Sequence, residues 1–374
     1  MSAPIRVLVV DDSALMRKLI PRVLEADGSI KVVGTAMDGS FGLKKIEELK
    51  PQVVTLDLEM PRMDGIEMMR EITRRHRLPV IVFSAHSRDG ARATLKALSL
   101  GAFDFVTKPD DAASGHLELI AQELSVKIKA AARAGFPKIL AEVPPSKFKN
   151  RADKERKHLP PSRVVAVGVS TGGPNALHYL LSQIPPDFSG SFLIVQHMPQ
   201  GFTEMLAKRL DENSALNVRE ARSGDPLCAG QVLICPGDRH LLARNTSHGP
   251  VAVLSDAPRV NGHRPSAEIL FRSVAKQLGR QAIALLMTGM GDDGADAIGA
   301  VKAAGGLTLA QDSDSCVVDS MPRSAIERGH IMRVVGLEAL PSVLHAQCSD
   351  EAVETTQTQR AAIARDLTKC REVI

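Results

Sequence analysis

The sequence predicts an α/β protein of two doubly wound parallel-sheet domains joined by a basic linker. Three observations carry this. Short apolar runs alternate with segments of helical periodicity, first over residues 5–123 and again from Arg163 to about Leu344. The chain has 374 residues, more than one core of ordinary size holds. Between the two series, Lys138–Arg163 carries eight Lys or Arg against three Asp or Glu, a net of +5, bracketed by two Pro-Pro pairs. That composition suits a solvated tether. The expected divisions are a first domain over 1–125, a linker over 126–161, a second domain over 162–345 and a tail over 346–374.

Composition narrows the function. Apolar residues make up 44% and charged residues 24% of the chain, the balance of a soluble globular protein. A formal charge of +4, no Trp and a single Tyr argue against a nucleic-acid partner. The five cysteines, Cys228, Cys235, Cys316, Cys348 and Cys370, form no C-x-x-C pair and read as reduced thiols, not as a zinc site. MSAPIRVLVVDD has acids where a signal peptide needs its cleavage region, and no apolar run reaches the ~18 residues of a membrane span. The protein is expected to be cytoplasmic and not itself in the membrane.

In the first domain, Ile5–Val10 is a strand that ends at Asp11-Asp12-Ser13. Ala14–Leu24 has helical spacing, with Pro21 expected to kink or shorten it. Lys31–Ala36 is a strand, Phe41–Leu49 a helix, and Val53–Leu58 a strand carrying Asp57 at its end. Ile66–Arg75 is a helix, Val80–Phe83 a strand ending at Ser84, Arg92–Leu100 a helix, and Phe103–Val106 a strand ending at Thr107-Lys108-Pro109. In such sheets the site lies at the carboxyl ends of the strands. Asp11, Asp12, Asp57, Ser84 and Lys108 therefore share one rim. Crowded carboxylates need a cation, and oxygen ligands of this kind suit Mg²⁺. Lys108 can hold an acyl phosphate and Ser84 adds a hydroxyl donor. The chemistry this suits is phosphoryl transfer to a carboxylate. The competing reading makes these acids helix caps, as Asp12 or Ser13 could be.

VLVVDDSALMRKL, VVTLDLEMPRMDG, VFSAHS and DFVTKP resemble the receiver domain of two-component response regulators. The resemblance implies a flavodoxin-like fold in which Asp57 takes a phosphoryl group from a histidine kinase. It implies that Asp11, Asp12, Asp57 and the Glu59 main-chain carbonyl bind Mg²⁺. Ser84 and Phe105 fall at the family's switch positions, where Thr and Tyr are common, and Lys108 completes the set.

The second domain opens on RVVAVGVSTGGP, Arg163–Pro174. A buried strand, Val164–Val167, runs into G-x-S-x-G around Ser170, and Asn175–Leu181 begins a helix. Strand, tight glycine turn, serine and helix resemble a nucleophile elbow, which exposes a hydroxyl beside helix N–H groups. Ser191–Gln196 is a strand ending at His197, and Phe202–Leu210 a helix. Gln231–Cys235 and Val251–Leu254 read as strands, Ser266–Leu278 as a helix. Ala282–Met287 is an apolar strand ending in TGMGDDG, and Ala295–Ala304 a helix. Ser170, His197 and Asp293 each follow a buried strand and precede a helix, so they can meet on one rim as nucleophile, base and orienter. His240 and His263 compete as bases, and His178 and His330 read as structural. Asp292 competes with Asp293, while Asp225 and Asp256 are weaker. The order Ser…His…Asp departs from the Ser…Asp…His of α/β-hydrolases.

VVAVGVSTGGP, LIVQHMP, CPGDRHLLA, NGHRPSAEILF and LLMTGMGDDGA are similar to the catalytic domain of the CheB chemotaxis family. The resemblance implies a Rossmann-like esterase domain that removes γ-methyl esters from glutamates of methyl-accepting chemoreceptors, and deamidates receptor glutamines, under control of a receiver phosphorylated by a CheA-type histidine kinase. It implies Ser170 as nucleophile, His197 as base and Asp293 as orienter. Main-chain groups near Thr171 and Met290 become oxyanion donors, with His240, His263 and Arg264 around the triad or on substrate. The esterase reaction would need no metal. The alternatives are a receiver-controlled module whose VGVSTGG turn holds a nucleotide phosphate, without a G-x-G-x-x-G or P-loop lysine to support it, and a DNA-binding regulator, without a helix-turn-helix after the linker. Glu351–Val373 is a short helix or a disordered tail.

Overall fold

In a computed structural model of the chain, the described residues are 3–26, 28–85, 87–108, 114–136 and 159–349. The basic stretch expected to act as a tether falls mainly in 137–158, and the expected tail mainly beyond 349, outside the described residues. The chain divides into two compact units, one built mainly on residues up to 143 and the other mainly on those from 144. No described helix is long and apolar enough to cross a membrane.

The first unit alternates β1 (Ile5–Val10), α1 (Met16–Glu25), β2 (Ile30–Ala36), α2 (Gly39–Leu49), β3 (Val53–Asp57), α3 (Gly65–Glu71), β4 (Val80–Ser84), α4 (Arg88–Ser99), β5 (Asp104–Thr107) and α5 (Ser114–Ala134). All strand pairs are parallel, in the order β2-β1-β3-β4-β5, the flavodoxin-like winding. β3 and β4 are buried along their whole length, which is why they read as unbroken apolar runs. Short polar side chains set the helix starts. Asp38 accepts from Phe41 N–H at 2.9 Å, Asp64 from Glu67 N–H at 2.7 Å and Ser87 from Gly90 N–H at 2.9 Å. The Ser87 cap explains why α4 begins at Arg88, a turn before the expected Arg92. Pro21 does not shorten α1, which runs through it to Glu25 with Ile20 and Leu24 buried. The packing of that apolar face outweighs the one backbone bond Pro21 removes. α3 gives way to a π-turn over Ile72–His76, and α5 runs on past residue 125 to Ala134.

The second unit contains β6 (Val164–Val169), α6 (Gly173–Gln183), β7 (Ser191–Gln196), α7 (Phe202–Glu212), β8 (Asn217–Glu220), β9 (Gln231–Ile234), β10 (His240–Thr246), β11 (Gly249–Ser255), α8 (Ala267–Leu278), β12 (Ala282–Leu286), α9 (Ala297–Ala303), β13 (Leu307–Gln311), α10 (Ser320–Glu327), β14 (Arg333–Val335) and α11 (Leu340–Cys348). The parallel sheet has the order β14-β13-β12-β6-β7-β9-β8. From β6 the chain winds first toward β7 and later returns to β12, so the winding reverses between β6 and β12. Such a reversal opens a crevice at the carboxyl ends of the strands.

Val251–Leu254 is a strand, as its apolar run predicts, but it belongs to an antiparallel hairpin with His240–Thr246 outside the main sheet. α8 packs its apolar face on β6 at Gly168, where a Cβ would come within 2.7 Å of Ala267 Cβ and 3.3 Å of Phe271 Cζ. That missing side chain lets the N-terminus of α8 reach the crevice. The two ends of this unit meet: Ser162 Oγ donates to the Cys348 carbonyl at 2.7 Å, and Ser189 Oγ donates to the same oxygen.

Candidate active site

Ser170 stands one residue past β6, and Gly172, at φ +80°, turns the chain into α6. The Ser170 N–H donates to the Thr288 carbonyl at 3.0 Å, which ties the serine to the loop after β12. His197 follows β7, and its N–H donates to the Val169 carbonyl at 3.1 Å. Gln196 braces the two strand ends: its buried Nε2 donates to the carbonyls of Ser170 at 3.0 Å and His197 at 3.2 Å. Sequence reasoning missed Gln196, because an amide at a strand end has no signature until its neighbour strand is known.

The His197 ring meets Asp293 through Nε2, at 2.8 Å from Oδ2. Nδ1 is buried and has no hydrogen-bond partner among the described residues. Asp293 is buried and heavily bonded. Ser266 Oγ donates to Oδ1 at 2.6 Å, Ala267 N–H to Oδ2 at 2.7 Å and Glu268 N–H to Oδ1 at 3.4 Å. The acid therefore sits on the N-terminal end of α8, where helix N–H groups favour negative charge. Burial alone would raise its pKa, but the bonds from His197, Ser266 and Ala267 outweigh burial and hold it below the usual carboxylate range. Ser266 is legible in the sequence as a helix start; its bond to Asp293 is not.

Asp292, the other acid of the pair, points away and is held by Arg328 Nη2 at 2.7 Å. Asp225 accepts from Arg219 and from Arg222 N–H, and Asp256 pairs with Arg239 at 2.6 Å. His240 is fully buried in β10 with Nε2 against the Pro258 carbonyl at 3.0 Å. Arg264 spends its donors on Asp238 and on the carbonyls of Asp256 and Ala257. His330 Nδ1 faces the Ala295 carbonyl at 2.9 Å, and burial lowers the pKa of His178. His263 alone among these histidines lies against His197, ring on ring. Thr171 is buried next to the serine. On the loop after β12, Gly289 N–H donates to the Val318 carbonyl and Gly291 N–H to Ser320 Oγ. The Met290 N–H between them has no partner among the described residues. Gly289 leaves no room for a side chain, since a Cβ there would lie 2.3 Å from Met321 Sδ and 2.9 Å from Ser170 Cβ.

The rim of the first unit carries the acids. Asp11, Asp12 and Asp57 offer carboxylate oxygens that all lie within 4.8 Å of one another. Lys108 Nζ donates to Asp57 Oδ2 at 2.7 Å and stands 3.6 Å from Asp11 Oδ2, which has no hydrogen-bond partner among the described residues. Burial raises the Asp57 pKa to about 6 despite Lys108 and the Glu59 N–H, which reaches Asp57 Oδ1 at 3.2 Å. Burial raises Asp11 as well. A buried carboxylate oxygen without a hydrogen bond, among three acids, is a donor set that suits a hard divalent cation. The helix-cap alternative does not describe Asp11, whose Oδ1 accepts from Ser13 N–H ahead of α1; Ser13 Oγ accepts from Met16 N–H at 3.3 Å. Ser84 donates to the Gly90 carbonyl at 3.1 Å. Phe105 is buried, and Lys127 Nζ stands over its ring and donates to its carbonyl at 2.5 Å.

Residues 165–344 match the CheB methylesterase family and residues 7–119 the response regulator receiver domain. A protein-glutamate methylesterase/protein-glutamine glutaminase of Koribacter versatilis is 58% identical over 359 residues, 95% of this chain and 99% of that one. A protein of the same name from Symbiobacterium thermophilum is 46% identical, covering 91% of this chain and 96% of its own. Another from Pyrococcus horikoshii is 40% identical, covering 92% and 94%. These relatives give no support to the phosphate-binding alternative. The chain belongs to the CheB methylesterase family, with a response regulator receiver domain ahead of the esterase domain.

Proposed function

We propose that this protein hydrolyses γ-methyl esters of glutamate on methyl-accepting chemoreceptors, with Ser170 as nucleophile, His197 as base and Asp293 as orienter. The observation that carries the reading is the His197 Nε2–Asp293 bond of 2.8 Å, which leaves Nδ1 as the ring nitrogen available to a serine hydroxyl. Ser170 Oγ attacks the ester carbonyl and passes its proton to His197 Nδ1. The tetrahedral intermediate collapses, the C–O bond to the methoxy group breaks, and methanol leaves with that proton. Water, deprotonated by the same nitrogen, attacks the acyl-serine and releases glutamate. Met290 N–H, with the backbone at Thr171, is the oxyanion donor; one such donor is commonly worth ~3–4 kcal/mol. A glutamine side chain undergoes the same steps with ammonia as leaving group, giving deamidation.

Input comes through Asp57, which accepts a phosphoryl group from a CheA-type histidine kinase. Asp11, Asp12, Asp57 and the Glu59 carbonyl would hold Mg²⁺, which when bound supplies positive charge to the phosphoryl oxygens. Lys108, bonded to Asp57 Oδ2, would hold the same phosphoryl oxygens, and Ser84 and Phe105 would respond to their charge. We assign residues 1–125 to the receiver and 162–345 to the esterase, joined by 126–161 and followed by 346–374. The setting is the cytoplasm, which suits the free Cys228, Cys235, Cys316 and Cys348.

Methanol release from a methylated chemoreceptor, with and without a small acyl phosphate and Mg²⁺, tests the reading. Wild type should release methanol faster with the phosphodonor, Ser170→Ala should release none, and Asp57→Ala should ignore the donor. Release that persists in Ser170→Ala refutes the triad.

A further inference from the structure

His263 lies face to face on His197, with ring centroids 4.0 Å apart and planes within 4°. It arrives on the loop between β11 and α8, which is tied down on both sides. Val260 and His263 exchange backbone bonds, N–H to carbonyl, at 3.0 and 2.9 Å. Arg264 Nε and Nη2 donate to Asp238 Oδ1 at 3.0 and 2.7 Å, while Nη1 donates to the Asp256 and Ala257 carbonyls at 3.3 Å. The ring is thus presented from a braced loop. It touches His197 by its face, and among the described residues neither of its nitrogens bonds Ser170, His197 or Asp293.

The His197 ring needs such a contact. Its one hydrogen bond, at Nε2, fixes a single atom and leaves the ring able to swing about that bond. Nδ1, which must face the serine oxygen, has no bond of its own among the described residues. A misplacement of about 1 Å at a reacting group can cost on the order of 10²-fold in rate. We propose that His263 is a positioning residue for this esterase: its ring is the plate that fixes the plane of His197 and so aims Nδ1 at Ser170. This rests on the triad reading above.

The plate works because it is uncharged. The groups that act on His263 are His197, Asp293, Arg259 and Asp292. Burial first, and then His197, push its pKa down to about 4. Near neutral pH, an imidazolium forming on His197 therefore meets a ring face, which attracts a cation, and not a second charge. A neighbouring ring kept neutral does not need its nitrogens, so another flat ring should replace it.

The test compares His263→Ala and His263→Phe in the full-length protein with acyl phosphate and Mg²⁺, following methanol release from methylated chemoreceptor and the thermal melt of each variant. H263A should lose on the order of 10–100-fold in kcat with KM changed less than about twofold. H263F should recover to within about fivefold of wild type. H263A within twofold of wild type overturns the proposal. So does H263F as impaired as H263A when both melt like wild type, because that outcome assigns the work to the nitrogens. If H263A does not fold, H263F decides alone: a loss beyond tenfold in a variant that melts like wild type overturns the plate. Ser170→Ala run alongside separates the two readings. Release persisting in S170A overturns the triad and this role together; release lost in S170A but unchanged in H263A overturns this role only.

Discussion

His197 presents Nε2 to Asp293 at 2.8 Å, and Nδ1 is left without a hydrogen-bond partner among the described residues. The usual serine triad uses the two nitrogens the other way round. The carboxylate selects the tautomer: an ionised Asp293 accepts, so Nε2 carries the proton and Nδ1 keeps its lone pair.

Asp293→Asn should remove the charge that balances an imidazolium while keeping the tautomer. Oδ2 accepts from both His197 Nε2 and the Ala267 N–H, so the amide oxygen takes that place and the NH₂ faces the Ser266 hydroxyl. Loss of kcat on the order of 10²-fold is expected from the missing charge. Methanol release by Asp293→Asn, assayed against wild type, checks this; a loss below tenfold refutes the role of Asp293 as orienter.

The depressed pKa of Asp293 also makes a prediction about acid stability. A carboxyl held lower in the folded than in the unfolded chain adds stability that is present above its unfolded pKa and lost as pH falls through its folded one. The melting temperature of the wild-type esterase unit should fall as pH drops from about 5 toward 3. The drop should be smaller in Asp293→Asn, which has nothing to titrate there. Calorimetric melts of the two proteins across that range decide it; parallel curves refute it.

Gly289→Ala should disable the site without replacing a reacting group. The new Cβ would meet Met321 Sδ at 2.3 Å and Ser170 Cβ at 2.9 Å, so Ser170 or the loop must move. Overpacking of this kind costs about 1–3 kcal/mol of stability, and the displaced serine about 10²-fold in rate. Activity within threefold of wild type would show that the methionine alone yields.

Magnesium should stabilise the receiver. At 100 times its Kd a ligand adds about 2.7 kcal/mol. Asp11→Asn and Asp57→Asn should each remove most of that gain. A melt titrated with Mg²⁺ measures it directly, and an equal shift in both variants would move the metal elsewhere.

Much of this was open to reading in the chain. Ser170, His197 and Asp293 were legible as strand ends because a parallel sheet buried on both faces leaves unbroken apolar runs with an abrupt polar end. Asp292 and Asp293 could not be separated that way. Adjacent residues of one type differ only in where the loop aims them, and here Gly291 at φ +92° and Gly294 at φ +85° bend the loop. His240 competed with His197 as a base in the sequence; it lies fully buried in an antiparallel hairpin, which is invisible until its partner strand is known. Gln196 and Gly289 were illegible for a related reason: one acts across two strands, the other by what it lacks. Pro21 was misread because its local preference is weaker than the burial of Ile20 and Leu24 on the same helix.

The bond from Ser162 to the Cys348 carbonyl has a consequence for how this unit can be handled as a building block. Its entry and exit points coincide. A short peptide could therefore join residue 349 to residue 162, and the chain could be reopened at the exposed turn between β10 and β11, around Ser247-His248. The circular permutant would encode Asp293 before Ser170 and His197 while every side chain kept its place. Chain order around the site is then a record of how the sheet was wound, and the same closeness of ends would let the esterase be spliced as a cassette into a loop of another protein.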